Sequence, residues 1–281
     1  MNVRANSPSV KNSLRNLLRR VGVYERVKAS WIYDLYWRLA DRRVIDDRRR
    51  EINFYRNLLD GLREGDLIFD IGANQGYKVD IFLRLGAKVV AVEPDETSQD
   101  TLRQKFQQYR LRRKRLAIVC KAVSEKSSTE TMWIDAPGGA KNTLSQKWAE
   151  RLRNDETRFG ERLNFGRRKE VQTISIEQLI ATHGSPLFIK IDVEGYELNV
   201  LRGMRRPVPY VSFEVNLPDF RREGLECIEV LDRLAREGRF NYTPDCRQGL
   251  VFDQWLPKEE ILAAVESCNE ESIEVFWKAS T

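Results

Sequence analysis

The chain has 281 residues, 41% hydrophobic and 32% charged, with a formal net charge of +6. This length and composition support a large buried core and exclude a disordered or peptide-sized chain. Its four scattered cysteines, Cys120, Cys227, Cys246 and Cys268, lack metal-ligand spacing, and no N-terminal apolar run reaches signal-peptide or membrane-spanning length; a reduced, cytoplasmic setting is expected.

Residues 1–60 read as an N-terminal helical segment. Tyr24, Val27, Trp31, Leu35 and Leu39 recur at helical spacing, and Ile32 and Tyr36 widen the stripe. Such a face suits packing on the main domain, a homo-oligomer contact, an acceptor cap, or contact of residues 21–40 with a membrane surface. A second amphipathic helix carrying Ile52, Tyr55, Leu58, Leu59 and Leu62 leads into a domain expected over residues 61–281.

From residue 66 onward strands and helices alternate. Strands are expected at about 66–71, 88–93, 116–123, 187–192, 210–215, 240–243 and 273–278. Helices are expected at about 75–85, 95–109, 196–204, 225–237 and 258–267. Repeated alternation of this kind predicts an α/β fold: a mostly parallel sheet with helices on both faces. Cys120, inside the third strand, reads as a small buried hydrophobe. Between the third and fourth strands lie an extended stretch at 131–135, the turn Pro137-Gly138-Gly139, a polar, arginine-rich run, and a returning strand at 170–176. The insertion, about 137–170, is read as a substrate lid in preference to a disordered loop.

The first strand ends in Asp70-Ile71-Gly72-Ala73-Asn74-Gln75-Gly76, and the second in Glu93. A strand, a glycine turn, a helix and a second strand tipped by an acid form a nucleoside-binding half-sheet, with Glu93 accepting from both ribose hydroxyls. The glycines are read as letting the backbone approach the ligand. Asp70 narrows the choice, because a carboxylate at the turn repels a pyrophosphate and welcomes an ammonium and a sulfonium. S-adenosylmethionine is the expected cofactor. Asn74 tolerates unusual backbone angles, and the helix N-terminus beyond it offers N–H groups to a carboxylate. Val123, closing the third strand, is expected to edge the adenine.

A second cluster, Lys190-Ile191-Asp192-Val193-Glu194-Gly195-Tyr196-Glu197, leaves the carboxyl end of the fourth strand. On an extended segment the side chains of Asp192 and Glu194 share one face and point into the crevice. Glu214 and Asn216 end the fifth strand on that side and are candidate acceptor-binding residues. His183, in the loop before the fourth strand, belongs to the opposite end.

These motifs, DxGANxG, Val92-Glu93-Pro94 and KIDVEGxExxVLxG through Gly203, resemble the FkbM family of S-adenosylmethionine-dependent methyltransferases over roughly residues 50–216. The resemblance implies a class I methyltransferase (Rossmann-like) fold with a seven-stranded sheet. It also implies O-methylation of a hydroxyl on a sugar, glycan or small polar metabolite. By position, Asp70, Gly72, Ala73, Asn74, Gly76, Glu93 and Val123 take cofactor roles, and Asp192 and Glu194 the catalytic ones. Two positions depart from the family pattern: Tyr77-Lys78 after the glycine loop, and Ser124 where an acid is frequent.

A hydroxyl acceptor must lose its proton, so Asp192 or Glu194 is expected to act as the base, or the pair to hold Mg²⁺. Clustered acids without histidine suit Mg²⁺ better than Zn²⁺, though no metal site is assigned. The basic runs Arg48-Arg49-Arg50, Arg110-Leu111-Arg112-Arg113-Lys114-Arg115 and Arg167-Arg168-Lys169 are read as solvated faces or as a preference for an anionic acceptor. They also raise nucleic-acid methylation as an alternative, against which stands the lack of an interleaved aromatic platform. A non-catalytic cofactor-binding scaffold is the third reading, and predicts donor binding without turnover.

Overall fold

The computed structural model describes residues 42–112, 114–156, 158–159 and 163–280. The aromatic stripe from Tyr24 to Leu39 lies outside them. The elements in chain order are α1 (Arg42–Leu58), β1 (Leu67–Ile71), α2 (Tyr77–Arg84), β2 (Lys88–Val92), α3 (Glu96–Lys105), α4 (Gln107–Leu111), β3 (Leu116–Val119), β4 (Ala122–Val123), β5 (Thr129–Ile134), α5 (Gln146–Arg153) and β6 (Arg167–Ile174). There follow α6 (Ile176–His183), β7 (Phe188–Ile191), α7 (Glu197–Arg202), β8 (Tyr210–Asn216), α8 (Arg221–Leu234), β9 (Arg239–Thr243), α9 (Lys258–Ser267) and β10 (Ser272–Lys278). Among the described residues no helix is long and apolar enough to cross a membrane.

One sheet runs in the order β3-β2-β1-β7-β8-β10-β9. Its pairings are parallel except those of β10, which is antiparallel to both β8 and β9. This is the class I methyltransferase sheet, and the last strand of the chain is the reversed one. The inner strands are Val- and Ile-rich because both faces are covered. Ile68 and Phe69, successive in β1, go to opposite cores. On one face, Tyr55 of α1 meets Phe82 of α2 edge-on, with ring centroids 5.1 Å apart, and both rings approach Phe188 of β7. On the other, Leu198, Leu201, Ile228 and Leu231 of α7 and α8 cover Ile191 and Phe213. The expected division at residue 60 therefore follows a helix whose inner side chains, Phe54, Tyr55 and Leu58, belong to the core of the sheet.

Two expectations are corrected. The third strand is not continuous over 116–123: β3 leaves the main sheet after Val119, and Ala122–Val123 pairs instead with Thr173 and Ile174 of β6. Cys120 sits at the break and is exposed, its Sγ 2.9 Å from Arg103 Nη2, and is not a buried hydrophobe. The described residues of the insertion join a small sheet, with β5 antiparallel to β6, and include α5, whose Trp148, Ala149 and Leu152 are fully buried.

Candidate active site

The carboxyl ends of β1, β2 and β7 open into a cavity of about 450 Å³, as expected where helices and strands reverse order in an open sheet. Asp70, next to last in β1, pairs in register with Ala91 and Lys190. It is 1% exposed, and its Oδ2 has no hydrogen-bond partner. Burial raises its pKa to about 6 despite the nearby Lys190 ammonium. A buried acceptor left without a donor, on the wall of a cavity, fits a ligand ammonium.

Beyond Ile71 the chain turns through Gly72 (φ +81°) and Asn74 (φ +44°). The backbone N–H of Asn74 donates to Glu93 Oε2 at 2.8 Å, and that of Asp95 donates to Oε1 at 2.8 Å. Two fixed donors aim the carboxylate. Burial nevertheless outweighs them and raises the Glu93 pKa to about 7. The cavity and the aligned Glu93 and Asp70 thus fit an adenosyl ligand with a cationic tail.

The glycines also meet packing demands of the chain itself. A Cβ on Gly72 would lie 1.7 Å from the carbonyl oxygen of Asp192, so this position serves the close approach of the β1 and β7 ends. Gly76 does not line the cavity; a Cβ there would strike the ring of Phe106 at 2.5 Å. Gly76 therefore packs the turn against Leu102 of α3 and the neighbouring Phe106.

The opposite wall carries the acids. Oxygens of Asp192, Glu194 and Glu214 lie within 4.8 Å of one another. Asp192 and Glu194 both line the cavity, but not through an extended backbone: Glu194 has φ +55°. Burial raises the Asp192 pKa, but the Lys190 ammonium, 2.8 Å from Oδ2, outweighs it and holds the group below its ordinary value. Glu194 is gripped by the insertion. Lys141 Nζ donates to Oε1 at 3.1 Å, Trp148 Nε1 to Oε2 at 3.0 Å, and Thr143 Oγ1 to its carbonyl at 2.7 Å. Burial still raises its pKa. Glu197 accepts the N–H groups of Val193 and Gly195, at 3.0 and 3.2 Å, and so fixes the turn between β7 and α7. With Asp192 bound by Lys190 and Glu194 by Lys141, the cluster is a poor fit for a divalent cation, and no step is derived through one.

The insertion closes over the cavity through Asp95, the N-cap of α3. Besides Ser98 N–H, its carboxylate accepts from Gly138 N–H at 3.0 Å and Asn142 Nδ2 at 3.3 Å. Residues 138–140 and 142–144 consequently form part of the cavity wall. Further along, Arg158 donates to Asn216 Oδ1 and to the carbonyls of Leu217 and Glu271, tying the insertion to the ends of β8 and β10.

Of the expected site residues, Asp70, Gly72, Ala73, Asn74, Glu93, Val123, Asp192 and Glu194 converge on this cavity. Glu214 lies beside Asp192 but faces an adjoining space. Asn216 lines neither; its amide is spent on Arg158 and Glu214. His183 ends α6 at the far end of β7, edge-on to Phe69. Of the basic runs, Arg168 stacks on Trp133 and Lys169 pairs with Glu96, both within the fold. Lys190, Lys141 and Trp148 are not among the candidate site residues of the sequence, and Lys78 enters there only as a departure from the family pattern. Only Lys190 carried a signal, as a charge inside an apolar strand.

The model of the methyltransferase FkbM domain matches residues 70–242. A curated relative, the hexuronic acid methyltransferase AglP of Haloferax volcanii, is 27% identical over 173 residues, which are 61% of this chain and 63% of AglP. The chain thus spans less than two thirds of that relative. Among solved structures, methyltransferase FkbM from Methylobacillus flagellatus is similar over 77% of this chain and 45% of its own, with a TM-score of 0.46 and 16% identity. A TehB-like S-adenosylmethionine-dependent methyltransferase from Corynebacterium glutamicum is similar over 82% of this chain and 88% of its own, with a TM-score of 0.39 and 12% identity.

Proposed function

The chain belongs to the methyltransferase FkbM family, and from that premise we propose that it is an S-adenosylmethionine-dependent O-methyltransferase acting on a sugar hydroxyl, with Asp192 as the base. Bound S-adenosylmethionine supplies a methyl carbon attached to a positively charged sulfur. Asp70 holds the ammonium of its methionine end, Glu93 its ribose, and Val123 edges the adenine. The observation that carries the reading is that Asp70, with a buried carboxylate oxygen lacking any partner, and the oriented Glu93 line the same cavity.

Asp192 is the better base of the two acids. Its side chain is 38% exposed, and Lys190 keeps it ionised. It takes the hydroxyl proton as the oxygen–methyl bond forms and the methyl–sulfur bond breaks. Glu194, with both carboxylate oxygens engaged by Lys141 and Trp148, orients the insertion and takes no part in proton transfer. Residues 138–140 and 142–144 of the insertion wall the cavity, and alignment of the reacting atoms there supplies much of the acceleration in an in-line displacement. The hexuronic acid named for AglP supports a sugar as acceptor.

The experiment is incubation of the protein with methyl-labelled S-adenosylmethionine and fractionated glycans. Label is expected in a base-stable methyl ether, and Asp192→Asn is expected to bind the donor normally while losing transfer by a hundredfold or more. Label in a base-labile ester would overturn the hydroxyl assignment.

A further inference from the structure

A second cavity, of about 220 Å³, adjoins the Lys190–Asp192 pair. It shares Lys78, Lys190 and Asp192 with the first. The remaining wall includes Glu51 of α1, Glu214 of β8, Cys246 and Glu274 of β10. A ligand seated here touches Asp192 while the donor occupies the neighbouring cavity. The volume suits one small polar ring and falls short of an extended ligand.

We propose that this chamber seats the acceptor as a neutral pyranose ring, held through its hydroxyl groups, and rejects a ring that carries a carboxylate. The inference rests on the sugar-hydroxyl reading above and deepens it. Its basis is the hydrogen-bond inventory of the walls. Lys78 Nζ is paired with Glu51, and Lys190 Nζ donates to Asp192. Asp245, at the rim, is engaged by Arg247. Both lysines of the chamber therefore already face a carboxylate of the chain, and a ligand anion finds neither of them free.

The acids, by contrast, have capacity left. Glu214 has one long contact, from Asn216 Nδ2 at 3.4 Å. Glu274 accepts from Ser212 Oγ at 2.7 Å, Cys246 Sγ at 3.2 Å and Tyr55 OH at 3.3 Å. Burial raises the Glu214 pKa well above its ordinary value, and Asp192 and Glu194 add to it. Glu274, also pushed up by burial, is kept below its ordinary value by Lys190 and Lys78. Glu214 and Glu274 thus both offer carboxylate oxygens to the hydroxyl groups of a sugar. A ring carboxylate would add negative charge to a group of acids whose mutual repulsion already adds to the rise in the Glu214 pKa.

The test uses the whole protein saturated with S-adenosylhomocysteine, whose affinity is measured separately by calorimetry. Methyl pyranosides of gluco, galacto and manno configuration are titrated against their matching uronates by ligand-observed NMR. At least one neutral glycoside is expected to bind ten times more tightly than its uronate. Glu214→Ala, with its fold checked by thermal melting, is expected to weaken that binding at least fivefold while donor-product affinity stays within twofold. Uronates binding as well as the neutral rings would overturn the selectivity and leave the sugar reading standing. Neutral binding indifferent to Glu214→Ala would overturn the location. If donor product binds and no pyranoside of either class does, the sugar reading fails and this inference with it.

Discussion

Trp148 donates its indole N–H to Glu194 Oε2 across 3.0 Å, joining a helix of the insertion to the acid that follows β7. The two residues are 46 positions apart in the chain. The same indole packs edge-on against Phe220, with ring centroids 5.3 Å apart, and lies under the guanidinium of Arg158. The cover of the cavity is thereby anchored to its floor by one buried polar contact set in an apolar joint.

Trp148→Phe keeps most of that joint and removes the donor. A buried carboxylate oxygen left without a partner costs about 1–3 kcal/mol, to be read from chemical denaturation. A midpoint equal to that of the parent protein would show that the bond carries no stability.

Asp70 makes the donor-free protein sensitive to pH. Its folded pKa, about 6, lies above the ordinary 3.8, so the folded state holds the proton more tightly. Its contribution to stability is therefore full below about pH 3.8 and is lost as pH rises through about 6. The linkage amounts to about 3 kcal/mol. Asp70→Asn removes this slope, so the variant should gain on the parent steadily between those limits. The same substitution should weaken S-adenosylmethionine binding by tenfold or more in calorimetry. Parallel stability curves for the two proteins would rule out a buried, unpaired Asp70.

Glu93→Ala leaves two backbone N–H groups, of Asn74 and Asp95, without their acceptor. Loss of the ribose contact together with loosening of the turn should lower donor affinity by at least tenfold. Calorimetry at fixed pH reads it directly, and unchanged affinity would remove Glu93 from the donor site.

Lys190 sets the protonation of Asp192 through a 2.8 Å contact. Lys190→Met removes the opposing charge, and an adjacent cation typically lowers a carboxyl pKa by about 1–3 units. Because a base must be ionised to act, the acid limb of the kcat/KM profile should move to higher pH by about one unit or more. Lys190→Arg should bring it partway back. A limb that stays in place in the folded Met variant would mean that another group sets it.

Chelation offers a simple contrast. With Asp192 and Glu194 compensated by Lys190 and Lys141, methyl transfer should survive exhaustive treatment with EDTA at undiminished rate. Activity lost to chelator and restored by Mg²⁺ would reverse that expectation.

The sequence by itself determined the alternation of strands and helices, because apolar runs and glycine breaks record which stretches are buried. It also placed Asp70, Asn74 and Glu93 together, since β1 and β2 are adjacent in the chain and in the sheet, and a short connection leaves little choice of geometry. Tertiary structure decided what reaches across longer spans. Trp148, Lys141 and Thr143 meet Glu194 only because the insertion folds back over β7, and Glu214 meets Asp192 only because β7 and β8 pair. After Val119 the chain leaves β2, and β4 pairs instead with β6, a strand some fifty residues further on. Gly72 and Gly76 stand in a glycine-rich turn in the sequence, and only the fold shows that each is also required by a neighbour of its own chain. Periodicity reports that a residue is buried; the identity of what buries it is a property of the packed chain.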